Sequence, residues 1–210
     1  MNGKTVMACI EAAHATLKQN TDEIALLDQE IGDGDHIFNL LRGMEALLAA
    51  RGEIEAAAFG PSLDAAAAKV LSTVGGSSGP LFYSLLSGMS KAAKGHAMDV
   101  PGFAVIFAVG VDAVGQRGKT GVGSKTMMDV LIPVANRFRE MAAEGAAAQA
   151  VLDELPRVAQ TRMLATRDML ATKGRASFLG ERSRGHIDPG ARSSELMIAA
   201  VCAYLAQHIK

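Results

Sequence analysis

The stretch Leu27-Asp28-Gln29-Glu30-Ile31-Gly32-Asp33-Gly34-Asp35-His36 places four acids within eight residues, and Asp33 and Asp35 are separated by a single glycine. Like charges this close destabilise a folded chain unless something positive sits among them. Gly32 and Gly34 let the backbone turn tightly, so that Asp28, Asp33 and Asp35 can point to one place. Carboxylate oxygens without cysteine suit Mg²⁺, Mn²⁺ or Ca²⁺ rather than zinc. The spacing is only loosely that of a calcium-binding EF-hand loop. Counted from Asp28, the twelfth position is Asn39 where such a loop needs glutamate, which argues against calcium signalling. The bland alternative is a solvated turn in which Asp35 caps the following helix.

Three further loops weigh on that choice. They are 75–79 (GGSSG), 118–126 (GKTGVGSKT) and 174–190 (GRASFLGERSRGHIDPG), and each precedes a helical pattern. In the first, Ser77 and Ser78 are expected as hydroxyl caps, with Pro80 in the first helical turn. Free backbone N–H groups at a positive helix end make such a turn a ready anion site. Asp188-Pro189-Gly190 has the same pattern before the last helix, and Arg175, Arg182 and Arg184 offer positive charge. The last loop runs for seventeen residues without periodicity, longer than a structural turn requires. Carboxylates for a metal, amide nests for phosphates and basic side chains together point to a Mg-nucleotide site. One decoy is set aside: Ala113 to Thr120 matches a relaxed P-loop pattern, but no strand–loop–helix alternation surrounds it.

The elements that must position these loops are helical. Alanine, leucine and methionine dominate, and apolar residues recur at three- and four-residue spacing over 4–19, 22–28, 37–50, 62–74, 80–95, 102–117, 125–144, 147–172 and 190–209. FAVIFAVGV (103–111) could pass for a buried strand, but one strand makes no sheet, so it is assigned to a helix. With no composition shift or long linker, 1–210 is expected as one all-α domain, an antiparallel bundle of about eight helices. Loops at one end of such a bundle converge in space.

Composition sets the outer limits. Hydrophobic residues make up 49% and charged residues 20%, a globular balance, and the net charge of −1 points to neither nucleic acid nor an anionic membrane as a partner. The N-terminus lacks the apolar core of a signal peptide, and no apolar run is expected to span a bilayer. Cys9 and Cys202 are expected as buried free thiols of a cytoplasmic protein. His14, His96 and His208 are expected at the surface or at helix ends, and His186 as an organiser of its loop.

Taken in order, LDQEIGDGDHIFNLLRGM, GGSSGPLF, GSKTMMDVLIPV and GRASFLGERSRGHIDPGARSSELM resemble the nucleotide-binding L subunits of dihydroxyacetone kinases and the matching domain of single-chain forms. The resemblance spans nearly the whole chain. It implies an eight-helix barrel holding Mg-ADP or Mg-ATP in the loops at one end. Carried over by position, it implies Asp28, Asp33 and Asp35 as metal ligands. His36, Ile37, Phe38, Asn39, Ser77, Ser78, Gly118, Met127, Arg175, Asp188, Pro189 and Gly190 would line the nucleotide. With 4% aromatic residues and no tryptophan, adenine would rest on Met127 and aliphatic groups. Three aspartates and a triphosphate call for two Mg²⁺ by charge counting.

The implied activity is phosphoryl transfer to dihydroxyacetone or a related short ketose held by a separate K-type subunit, with a phosphotransferase-system M-type protein as a further candidate partner. No general base is assigned to this chain. A nucleotide-binding regulator that contacts a transcription factor and a metal-dependent phosphohydrolase are the rival readings. Two departures stand out: Ile37-Phe38 replaces a small residue after the histidine, and Ser124 stands where the family usually has aspartate.

Overall fold

The helical spacing is realised as ten α-helices in a computed structural model that describes residues 1–208. They are α1 (Gly3–Gln19), α2 (Thr21–Ile31), α3 (His36–Ala49), α4 (Arg51–Ala56), α5 (Phe59–Thr73), α6 (Ser78–Ala93), α7 (Val100–Gly118), α8 (Met128–Ala143), α9 (Ala148–Ala165) and α10 (Pro189–His208). Two 3₁₀ segments, Thr166–Asp168 and Arg175–Ser183, lie between α9 and α10. Among the described residues the only β pairing is an isolated bridge between Asn2 and Ala58.

Local chemistry sets several helix starts. The Asn2 side chain accepts the Thr5 N–H at 3.2 Å to open α1, and Asp99 accepts the Gly102 N–H at 2.9 Å to open α7, with Pro101 in the first turn. Each helix then buries one stripe. On α3 that stripe is Ile37, Leu40, Gly43 and Leu47, spaced three or four apart.

Packing closes a ring. α1 touches α5, the helices α5 to α10 each touch the next in order, and α10 returns to α1. α3 touches α1, α2, α5, α6 and α10, which ties the ring together from one side. Val6, Met7, Leu47, Ile54, Phe59, Leu63 and Ile106 fill one core, with Phe103 edge-on to Phe59 at 5.4 Å. Val130, Val134, Leu155, Ala159, Met163 and Cys202 fill a second between α8, α9 and α10. Truncating a leucine such as Leu63, 4% exposed, would cost about 2–5 kcal/mol.

The helix boundaries depart from expectation at three places. α4 is an extra short helix whose single buried residue, Ile54, carries too little periodicity to be seen. The pattern expected to run to residue 172 stops at Ala165, where the Thr166 hydroxyl donates to the Met163 carbonyl at 2.6 Å and the chain turns away. α8 starts at Met128 rather than 125 because Lys125 takes a left-handed φ of 58°.

FAVIFAVGV lies within α7. By length and composition alone α7 could cross a bilayer, contrary to expectation. It packs between α6 and α8 in the ring. The P-loop decoy is helical up to Gly118, which removes that geometry. Cys9 and Cys202 are free thiols on the adjoining helices α1 and α10. Cys202 is buried as expected and Cys9 only partly so, and burial pushes them up to about 12 and about 11 respectively.

Candidate functional site

The acidic turn folds over itself. The Asp28 carbonyl accepts the Gly32 N–H at 2.6 Å, and its carboxylate accepts the His36 N–H at 3.0 Å. A Cβ at Gly32 would lie 2.1 Å from that carboxylate, so any larger residue there would push it aside, and Gly34 takes a φ of +75° to complete the turn. As a result the ligand oxygens of Asp28, Asp33 and Asp35 lie within 4.8 Å of one another. Asp28 is buried and the other two are exposed. One of the three charges is balanced by Arg175, whose guanidinium lies 2.7 Å from Asp33. Asp35 precedes α3 but makes no side-chain cap, because its backbone is already helical (φ −99°, ψ −10°). Its carboxylate joins the other two instead, against the reading of a simple capped turn. An all-oxygen set of three convergent carboxylates fits a hard divalent cation.

Three helix N-termini meet beside this cluster. His36 opens α3; its Nε2 is 2.9 Å from Ser193 Oγ on α10, and its Nδ1 is 3.5 Å from Ser78 Oγ on α6. Burial lowers the His36 pKa while Asp28 and Asp35 oppose that shift, so the imidazole is neutral at physiological pH. Positive helix ends and free N–H groups gathered in one place favour an anion.

The expectation that Ser77 caps α6 is corrected. Its backbone is helical (φ −75°, ψ −20°), no cap hydrogen bond forms, and the Ser78 hydroxyl faces His36. Asn39 is held by Arg42, whose Nε also donates to the Thr73 carbonyl at 3.1 Å and so ties α3 to the end of α5, just before the GGSSG turn. Ile37 sends its side chain into the core at 0% exposure, whereas Phe38 is 56% exposed.

The 118–126 turn and the long segment after α9 complete the end of the ring. Gly118 closes α7 with Lys119 left-handed behind it. The Asp129 carboxylate, almost fully buried, accepts the N–H groups of Gly123 and Thr126 and so folds the turn from below. Met127 is 8% exposed and packs in the core beside Val114 and Leu131, while a Cβ on Gly190 would sit 3.6 Å from its backbone nitrogen. Its side chain is therefore chiefly core, and its backbone faces the start of α10.

Within 166–188, Ala171, Ala176 and Leu179 pack on Ile31 at the end of α2. Arg184 is engaged by Glu181 at 2.8 Å and by the Asp168 carbonyl, so it braces its own loop, while Arg182 is exposed. His186 lies 3.7 Å from Glu30. Asp188 accepts the Ala191 N–H at 2.7 Å and caps α10, with Pro189 first in that helix. Burial pushes the Asp188 carboxyl up to about 7, against the pull of that bond and of Lys125, with Asp129 and Asp28 adding to the rise.

Four residues that organise this end were not singled out from sequence. Ser193, Arg42 and Asp129 each hold another residue of the site and left no local motif. Lys125 left none either, since a lysine inside a Gly/Ser turn is ordinarily a solvated side chain.

A model of the DAK2 domain matches residues 30–203 of the chain. The chain is 39% identical over 185 residues to the ADP-binding subunit DhaL of PEP-dependent dihydroxyacetone kinase 1 from Listeria innocua, covering 88% of each. It is 37% identical over 173 residues to the ADP-binding subunit DhaL of the PEP-dependent enzyme from Escherichia coli, covering 82% of each. In fold it is similar to the crystal structure of the dihydroxyacetone kinase from C. freundii in complex with AMP-PNP and Mg²⁺. There the TM-score is 0.70 at 20% identity, over 95% of this chain and 33% of that one.

Proposed function

The chain belongs to the DAK2 domain family, and from that premise we propose that it is the nucleotide-binding phosphotransfer subunit of a dihydroxyacetone-type kinase. The observation that carries this reading is the gathering of Asp28, Asp33 and Asp35 beside the N-termini of α3, α6 and α10. The three aspartates hold magnesium, two ions by charge count. Bound magnesium neutralises charge on the transferring phosphoryl group. His36 to Asn39, Ser77, Ser78, Gly118, Met127, Arg175 and Asp188 to Gly190 line the nucleotide. Ile37 and Met127 contribute mainly backbone, since their side chains are buried.

His36 stays neutral and positions the hydroxyls of Ser78 and Ser193 while its own N–H fixes Asp28. Arg175 meets Asp33 across the rim, on the segment that closes the nucleotide end. The acceptor, dihydroxyacetone or a related short ketose, is held by a separate K-type subunit that docks at the loop end. The relatives' names, of PEP-dependent kinases with ADP-binding subunits, favour rephosphorylation of a retained ADP by an M-type protein over exchange with free ATP. They favour either form of kinase over a regulator or a phosphohydrolase. A cytoplasmic setting goes with this reading.

The test is to assay the purified chain for retained ADP and for sugar phosphate formation, with and without a K-type partner, supplying Mg-ATP or a phosphorylated M-type protein. Transfer only with the partner is expected. Substantial sugar phosphate from the lone chain would refute the division of labour, and none under any combination would refute the kinase reading.

A further inference from the structure

The largest fully buried side chain among the described residues is a lysine, Lys125, at 1% exposure. Burying an ammonium away from water is costly unless its hydrogens are satisfied. Here all three N–H donors have a target: Nζ donates to the carbonyls of His186 at 2.5 Å, Thr166 at 2.8 Å and Arg167 at 3.4 Å. No carboxylate lies within salt-bridge distance of it among the described residues, so carbonyl oxygens make its direct contacts, while the charges of Asp188 and Asp168 act on it from further off. To reach them the backbone takes the left-handed φ of 58°, which a non-glycine residue adopts only when its surroundings demand it.

The three acceptors lie at the two ends of one segment. Thr166 and Arg167 lead out of α9, and His186 lies two residues before Asp188. Two more bonds run the same way: the Thr172 N–H donates to the Ser124 carbonyl at 3.2 Å, and the Asp188 N–H to the Thr166 hydroxyl at 3.1 Å. The apolar anchors of this segment are few, Ala171, Ala176 and Leu179 against Ile31 and Ile187 against the second core, so the polar bonds share in setting its position.

We propose that Lys125 is a positioning residue, whose buried ammonium cross-ties both ends of the 166–188 segment to the α7–α8 turn and so holds Arg175 and Asp188 at the nucleotide end. This rests on the nucleotide reading above. Lys125 touches no reacting atom; it acts through the segment it holds.

The test compares the full-length wild type with Lys125→Met, which keeps the length of the side chain and removes its three donors. Two readouts separate positioning from general stability: backbone hydrogen exchange resolved along the chain, and Mg-ADP affinity by calorimetry. Exchange should quicken at least about tenfold within 166–188 while α5 and α6 keep their protection, since hydrogen bonds from a charged donor are each worth that much. Mg-ADP affinity should fall at least about tenfold in the same variant.

If the methionine variant does not fold, Lys125→Gln replaces it, keeping an amide donor, and smaller shifts of the same pattern are expected. Exchange that is unchanged within 166–188, or faster everywhere alike, overturns the proposal. So does a loosened segment with wild-type Mg-ADP affinity. A wild-type chain that itself fails to bind Mg-ADP refutes the nucleotide reading instead, and removes the premise of this one.

Discussion

Replacing Gly32 with alanine tests whether the acidic turn is built for a metal. The new Cβ would lie 2.1 Å from Asp28 Oδ1, so the carboxylate must move by about an ångström or more to reach ordinary contact. That motion breaks its 3.0 Å bond from the His36 N–H, a charged hydrogen bond worth about 1.5–3 kcal/mol. It also carries Asp28 away from Asp33 and Asp35. Magnesium demands oxygen ligands at about 2.0–2.1 Å in near-octahedral geometry, so a shift of this size removes a ligand outright. Gly32→Ala should therefore weaken Mg-ADP binding at least tenfold, about 1.4 kcal/mol, and lower stability in urea by about 1–3 kcal/mol without ligand. Gly52→Ala serves as the control. Nothing lies within 4 Å of its added Cβ on the exposed helix α4, so it should raise stability by about 0.5–1 kcal/mol and leave Mg-ADP affinity alone. Mg-ADP affinity of Gly32→Ala within about threefold of wild type, measured by calorimetry, would refute the placement of Asp28 in the metal site.

Asp33→Asn removes a charged ligand and should also cost at least about tenfold in Mg-nucleotide affinity, while the loss of its exposed pair with Arg175 moves stability by no more than about 1 kcal/mol. Mg²⁺ and ADP together should raise the melting temperature far more than either alone, since binding to the native state adds RT ln(1 + [L]/Kd); equal melting temperatures with and without Mg-ADP would contradict the site. Asp188 gives a pH signature. Its folded-state pKa is raised from 3.8 to about 7, so its stabilising contribution is complete below 3.8 and is lost as pH rises through about 7. Asp188→Asn can still accept the Ala191 N–H and should gain on the wild type in urea midpoint between pH 5 and pH 8, without metal or nucleotide. A pH-independent difference would show that the carboxyl is not shifted.

The helices were readable because their signal is periodic and redundant. Ile37, Leu40 and Leu47 repeat one message along α3, and Asp188-Pro189-Gly190 announces the start of α10 beside the helix itself. The acidic triad was readable for the same reason, since its three members lie within one turn. What escaped was long-range. His36 meets Ser193 from 157 residues away and Lys125 meets His186 from 61, and nothing local to either pair encodes the meeting. Ser77 shows the converse error, a good cap residue whose backbone had already entered the helix, leaving its hydroxyl with nothing to cap. α4 was too short, at six residues, for any period to emerge.

The closure of the ring between α1 and α10 has a consequence for how the chain comes to be folded. α1 (Gly3–Gln19) is made before α10 (Pro189–His208), and the face it turns to α10 finds its partner only after the intervening residues 20–188 have been synthesised. Until then the nascent ring is an open arc with apolar edges, and neighbouring contacts such as α5 with α6 and α6 with α7 can form first at little entropic cost. On that ground, joining the edges should come last and be the slow event. During that interval two unfinished arcs can cover each other's edges, so misassembly should rise with the concentration of newly made chains, and destabilising the α1–α10 seam should reduce the yield of native protein more than it reduces the stability of what does fold.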